Sequence, residues 1–314
     1  MKVLNKIIII VILVTCLYAA FLIASDVSKI SEKISSFKIE FLPIIISLVT
    51  SGWFILFARW HLLLKNSKIF IPKKDSLLIF FSSFALAVIP GKMGDLIKSQ
   101  LLKTKFGIPR SRTVPIVMLE QLYTVIGLVF LSFFGIWYFE LGTYVIGFFT
   151  ALLVFVFILI SSRKTFNKMV LLLGKWKYAS KFVEPLSSSY DTIKTSIKGP
   201  MIFYASALTA IFWLMEAIVV YFLLLSFGID SIEFLKVIPT YTTSLMLGFL
   251  SFLPMGVGVV EGSLVSFFSL QGIDISLSLT LVVVIRLFTR WYGVVVGFFA
   301  LKFSGGLSFN EKPN

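Results

Sequence analysis

The chain has 314 residues, 58% hydrophobic and 14% charged, with 34 phenylalanines and a formal net charge of +14. A water-soluble domain of this length carries about a quarter Asp, Glu, Lys and Arg, so this composition excludes an ordinary soluble fold. Nucleic-acid binding is excluded with it, because that activity needs its basic residues on a folded soluble surface. The positive-inside rule accounts for the same surplus through lysine-rich cytoplasmic loops.

Apolar runs at 7–23, 41–57 and 114–134 match the roughly 20 residues a helix needs to cross the hydrocarbon core. Backbone groups in lipid must pair internally, so these runs are helices. A β-barrel would alternate apolar and polar residues, which the unbroken run at 7–14 does not do. The expectation is an all-α polytopic membrane protein.

Lys2 and Lys6 place the N-terminus in the cytoplasm, ahead of a first helix running to about Ala24. Two other readings of that segment are weaker. Thr15 is a poor residue just before Cys16 in a lipoprotein cleavage site, and the apolar stretch is long for a cleaved signal peptide. The loop at 25–40 mixes acids and lysines and is assigned to the outside. A second helix, about 41–64, returns to a cytoplasmic loop with Lys65, Lys68, Lys73 and Lys74.

The next run, 76–89, is short and ends in Pro-Gly-Lys-Met-Gly-Asp at 90–95. Lys103, Lys105, Arg110 and Arg112 follow, so both flanks are basic. A re-entrant hairpin near 76–102, entering from the cytoplasm, satisfies both. A third helix then begins near Pro115, a favourable first-turn residue, and ends near Trp137. A fourth, about 141–160, leads to a lysine-rich cytoplasmic segment at 163–198. There Phe166, Met169, Val170, Leu173 and Trp176 recur at helical spacing, so an amphipathic helix lies on the membrane or packs on the cytoplasmic mouth of the protein.

The fifth helix, about 201–227, leads to an outside loop with Asp230 and Glu233. Runs at 237–253 and 262–270 flank Pro-Met-Gly-Val-Gly-Val-Val-Glu at 254–261 and lack positive flanks, so this second hairpin enters from outside. The last helix, about 276–303, carries Arg286 and Arg290 and ends in the cytoplasm near Lys302. About six spanning helices and two broken hairpins result. They divide into a first repeat, 1–138, and an inverted second repeat, 139–314. Inverted repeats with interrupted helices are a transporter architecture, and the interruptions mark the substrate site.

Ionisable groups at membrane depth face a cavity or a partner. The candidates are Arg59, Asp95, Lys98, Glu120, Glu216, Glu261, Arg286 and Arg290. In one reading they only fasten the hairpins, Asp95 or Glu120 pairing with Arg286 and Glu261 with Lys98. In the other, backbone N–H groups around Gly91, Gly94, Gly256 and Gly258 join Lys92, Lys98 and Arg286 to hold an anionic head group. Asp95 and Glu261 then exchange protons or counterions, and Glu120, Glu216 and Arg59 couple or gate. Trp53, Trp60, Trp137, Trp176 and Trp291 read as interface anchors, and His61 as an interfacial residue. No cofactor or metal is implied: the chain has one cysteine and one histidine, and no P-loop, zinc helix or nucleophile elbow.

The motif at 90–95 with Lys98, Glu120 in Val-Met-Leu-Glu-Gln-Leu, the Pro-x-Gly-x-Gly-x-x-Glu element ending at Glu261, and Arg286 together resemble the flippase-like transmembrane family. That family includes the membrane part of lysylphosphatidylglycerol synthetases. The resemblance covers nearly the whole chain and implies a lipid-translocating fold whose matching positions line a head-group path. Where the family often has Glu-Arg-x-x-Asp, this chain has Glu120, Gln121 and Thr124. The family's soluble aminoacyl-transferase domain has no counterpart after the last helix, so lysyl transfer is not expected of this chain.

The leading functional expectation is a flippase in the cell membrane, with both termini cytoplasmic, moving an anionic or phosphate-bearing lipid between leaflets. A transferase acting on a phospholipid or polyprenyl phosphate, with Asp95 or Glu261 as base, is the enzymatic alternative. A third reading is a membrane partner that positions a soluble or membrane enzyme through 163–198.

Overall fold

The computed structural model describes residues 36–89, 94–134, 140–175 and 199–305, with scattered positions between 183 and 197. The expected first helix with Cys16, the hairpin residues Gly91 and Lys92, and Trp137 and Trp176 lie outside the described residues.

Every regular element among the described residues is helical. Five stretches are long and apolar enough to cross a membrane: Ile39–Asn66, Arg110–Ser132, Gly142–Ser161, Pro200–Ser226 and Ile275–Phe303. They coincide with five of the six expected spans. The protein is therefore an all-α multi-pass membrane protein.

The first long helix is α1 (Leu42–Asn66). Two short helices, α2 (Lys73–Ser82) and α3 (Ile97–Phe106), flank a 3₁₀ turn at Ser83–Leu86 and the first break. Each has 10 residues, about 15 Å of helix, or half a bilayer core. Next come α4 (Arg110–Ser132), α5 (Glu140–Ser161), α6 (Arg163–Gly174) and α7 (Pro200–Ser226). The second broken pair is α8 (Phe234–Leu250) and α9 (Val259–Leu270). The last span is α10 (Ile275–Arg286), a π-helical turn at Leu287–Trp291, and α11 (Tyr292–Phe303).

The packing interleaves the two ends of the chain. Helices α1 and α7 lie side by side, with Gly52 of α1 against the Phe212 ring of α7. Helix α4 packs on α7 and on α8, while α11 packs on α2 and the 3₁₀ turn that follows it. Small residues permit these approaches, as they do between membrane helices generally. A Cβ added at Gly127 would lie 2.8 Å from Thr209, and one at Gly297 only 2.2 Å from the Ala85 backbone nitrogen. Around α2 the rings of Trp53, Phe80, Phe81 and Phe84 pack edge to face. The two breaks meet at a small apolar cluster of Val88, Val257 and Val294, packed by Met255 and Trp291.

Two local expectations change and a third is met. Helix α4 begins at Arg110, after Pro109, and Pro115 lies inside it. The hydrogen bond that Pro115 cannot donate would have reached the first turn of the helix, where little of the ladder is lost. Trp53 and Trp60 are not interface anchors: they are buried in the core, 4% and 0% exposed. In the 163–198 segment the expected amphipathic helix is present as Arg163–Gly174 and packs on α5. Phe166 and Val170 form its buried side, and Leu171 and Leu172 stay exposed.

The contact at Gly297 has no slack, because the atom it meets belongs to the backbone. Gly297→Ala is expected to destabilise the detergent-solubilised protein by about 1–3 kcal/mol, the usual cost of overpacking. Gly147→Ala, where nothing lies within 4 Å, should be neutral. Thermal unfolding followed by tryptophan fluorescence checks both.

Candidate functional site

At the first break the chain turns so tightly that a Cβ on Gly94 would lie 1.8 Å from the Leu86 carbonyl oxygen. This turn carries Asp95 into α3, where Lys98 follows one helical turn later. The Lys98 ammonium is 2.6 Å from the Glu120 carboxylate on α4 and 3.6 Å from Asp95. It also lies over the rings of Trp60 and Phe80, at 5.0 and 5.6 Å, a cation–π arrangement strengthened by desolvation. Arg59 of α1 stands 3.7 Å from Glu120 and donates to Thr209 at 2.8 Å and Thr124 at 3.4 Å. Gln121 donates to Asp95 at 2.6 Å. Arg59, Lys98 and Glu120 are all buried.

At the second break Phe252 (φ 52°) and Met255 (φ 51°) occupy the left-handed region beside Gly256 and Gly258. Non-glycine residues there carry backbone strain and persist only where neighbours fix them. Glu261 accepts the Gly258 N–H at 2.7 Å, capping α9, and pairs with the Arg286 Nε at 2.7 Å. Arg286 also donates to the Met255 carbonyl at 2.5 Å. This buried pair latches the strained turn to α10.

A third cluster follows from the π-helical turn. An α-helix would bring Arg286 and Arg290 to nearly one face; the wider turn swings Arg290 away. Its guanidinium reaches Glu216 of α7 by two bonds, 2.9 and 3.2 Å. Tyr241 of α8 donates to the same carboxylate at 2.8 Å and accepts from Arg290 at 3.3 Å. The Trp213 ring lies 5.8 Å from the guanidinium.

The first and third clusters share one cavity of about 280 Å³ between the two breaks. Of the expected residues, Gly94, Asp95, Lys98, Glu120, Arg59, Glu216 and Gly256 line it. Glu261, Arg286 and Gly258 are absent from its described lining. Arg286, expected to hold a head group, pairs through its Nε with Glu261 and donates through one Nη to the Met255 carbonyl, while its other Nη is buried without a hydrogen-bond partner among the described residues. The expected pairings change too, Glu120 with Lys98 and Glu261 with Arg286. Both pairs join the second limb of a break to the helix that follows it. Sequence reasoning passed over Gln121 and Tyr241 as partners and gave Arg290 no role. The one available signal was Arg290 itself, a cation one turn beyond Arg286 inside an apolar run.

Comparison with known proteins adds the family. Residues 7–297 match the model of the lysylphosphatidylglycerol synthase TM region. The chain belongs to that family. It is 31% identical over 109 residues to a UPF0104 membrane protein of Methanothermobacter thermautotrophicus, covering 35% of this chain and 32% of that one. It is 24% identical over 227 residues to the UPF0104 membrane protein MJ1078 of Methanocaldococcus jannaschii, covering 68% of this chain and 91% of that one. The match thus spans about a third of the first relative's length and most of the second's.

Breaking a buried pair leaves a charge with no counter-ion, at about 3–5 kcal/mol, whereas removing both partners is far milder. Arg286→Met should therefore lower the thermal midpoint sharply, and adding Glu261→Gln should recover most of the loss. Midpoints of the purified single and double variants in detergent test this.

Proposed function

We propose that this protein moves a phosphate-bearing amphiphile between the leaflets of the cell membrane, its head group passing through the cavity while its acyl chains stay in lipid. The observation that carries this reading is a small, heavily charged cavity with an apolar lip. Phe252 and Leu253 belong to its lining and are also 75% and 46% exposed on the outer surface. A cavity of about 280 Å³ is at the lower limit for a small-molecule site and suits a head group far better than a whole lipid. Membership in a family of phospholipid-synthase membrane regions supports a lipid substrate.

In this reading the two halves, 1–138 and 139–314, are inverted repeats whose broken hairpins enter from opposite faces, with both termini in the cytoplasm. The side-chain pairs are consistent with it. Arg59 of α1 faces Glu120 of α4, and Glu216 of α7 faces Arg290 beside α11. Helix for helix, the two pairs occupy equivalent places with their charges exchanged. The exchanged packing of α4 on α8 and of α11 on α2 would couple any tilt of one half to the hairpin of the other. Arg59, Lys98 and Arg290 serve as phosphate ligands, and Asp95, Glu120 and Glu216 hold them between turnovers and gate access.

The family's name also keeps a transferase reading alive, in which the cavity carries out chemistry on the amphiphile. Product formation by the purified protein in detergent, where no leaflets exist, would favour that reading.

Rocking requires the apolar contact between the breaks to part. Val88→Cys with Val257→Cys, in a Cys16→Ser background, should move tail-labelled phospholipid across proteoliposome leaflets when reduced. Oxidation to the disulfide should stop translocation, and a reductant should restore it. Equal rates in both states would sink the rocking model, and no protein-dependent translocation at all would sink the flippase reading.

A further inference from the structure

We propose that the outward face of α6 docks on the anionic lipid surface of the bilayer beside the protein. The proposal is independent of what the cavity carries. The span Gly142–Ser161 of α5 has 20 residues, about 30 Å of helix and the thickness of the hydrocarbon core. Only Ser162 separates it from α6, so α6 begins where that core ends. The same span is the least buried of the five, at 17%, and Phe148, Phe155 and Ile158 on it are exposed. Helix α5 is therefore at the rim of the protein, with lipid beside it. Neither α5 nor α6 contributes to the described lining of the cavity.

The two sides of α6 differ in chemistry. Phe166 and Val170 turn inward, with the Phe166 ring 5.1 Å from that of the buried Tyr190. On the opposite side Lys164, Lys168 and Leu171, spaced four and three residues apart, share one stripe with Lys175 just beyond the helix. All four are exposed, Leu171 by 67%, and the neighbouring Leu172 by 53%. Among the described residues the carboxylate that reaches this helix is Asp191, and it lies 3.6 Å from Arg163, off the stripe. From 163 to 198 the sequence has eight Lys and Arg against Glu184 and Asp191, so the surface is strongly positive. A leucine amid lysines suits a partner that is apolar below and negative above. The leucine enters the head-group boundary, while the lysine stems lie along it and their ammonium groups reach phosphates. An acidic protein would attract the same lysines, but at the rim of the protein and the edge of the core the standing neighbour is lipid.

Leu171→Cys, in a Cys16→Ser background, can carry a nitrobenzoxadiazole fluorophore on the stripe, where doxyl-labelled lipid quenches it once it enters the bilayer. The whole chain is placed in nanodiscs of phosphatidylcholine alone, or of phosphatidylcholine and phosphatidylglycerol in about equal parts. Quenching should be about twofold stronger in the anionic discs. Raising the salt to about 1 M cuts the Debye length to about 3 Å and should return quenching to the level of the neutral discs. Lys164→Gln with Lys168→Gln and Lys175→Gln should do the same at low salt, with the thermal midpoint unchanged. Quenching that is equal in the two discs, or that survives both high salt and the triple variant, overturns the proposal. So does a probe that stays in water in both discs, a result that would leave the face to a protein partner. The salt titration keeps the lysines in place, so it decides the question even where the triple variant fails to fold.

Discussion

An ionised side chain enclosed by helices that face hydrocarbon has no water to fall back on, so it keeps its charge only beside a partner. That constraint organises this protein. Lys98 against Glu120, Arg286 against Glu261 and Arg290 against Glu216 each tie two elements that the chain would otherwise join only through strained or interrupted backbone. Short helices such as α2 and α3 cannot cross a bilayer, and their broken ends expose backbone groups that lipid will not solvate. The side-chain pairs and the close glycine contacts hold those ends inside the protein.

The three pairs differ in what surrounds them, and the difference separates fastening from function. Glu261 and Arg286 hold the second turn, capping α9 and gripping the Met255 carbonyl. The clusters around Lys98 and Arg290 instead border a shared cavity. The strain at Phe252 and Met255 sits on the wall of that cavity. A turn that stores strain under a latch is the natural place for movement in the proposed transport cycle.

Much of this was legible in the sequence. Run length and hydropathy located the five described spans, because lipid imposes a length that local composition must meet. Proline and glycine at 90–94 and 254–258 marked both breaks. The charged residues that line the cavity were all singled out by their cost at membrane depth. Their partners were not legible, since pairing depends on which helices lie side by side. Lys98 and Glu120 are brought together by the packing of α3 on α4, which no spacing along the chain encodes. Nor does the sequence announce the π-helical turn that separates Arg290 from Arg286 and delivers it to Glu216. Where the family often has arginine and aspartate after the glutamate, Gln121 and Thr124 still enter the cluster, one donating to Asp95 and the other accepting from Arg59.

The proposed function turns on the two breaks facing opposite sides of the membrane. Lys74, at the start of α2, and Glu233, just before α8, are exposed at the outer ends of the two first limbs. Single cysteines at these positions, in a Cys16→Ser background, can be probed with a membrane-impermeant maleimide in sealed right-side-out vesicles. The account predicts labelling of Glu233→Cys in intact vesicles and of Lys74→Cys only after permeabilisation. Labelling of both from the same side would contradict it.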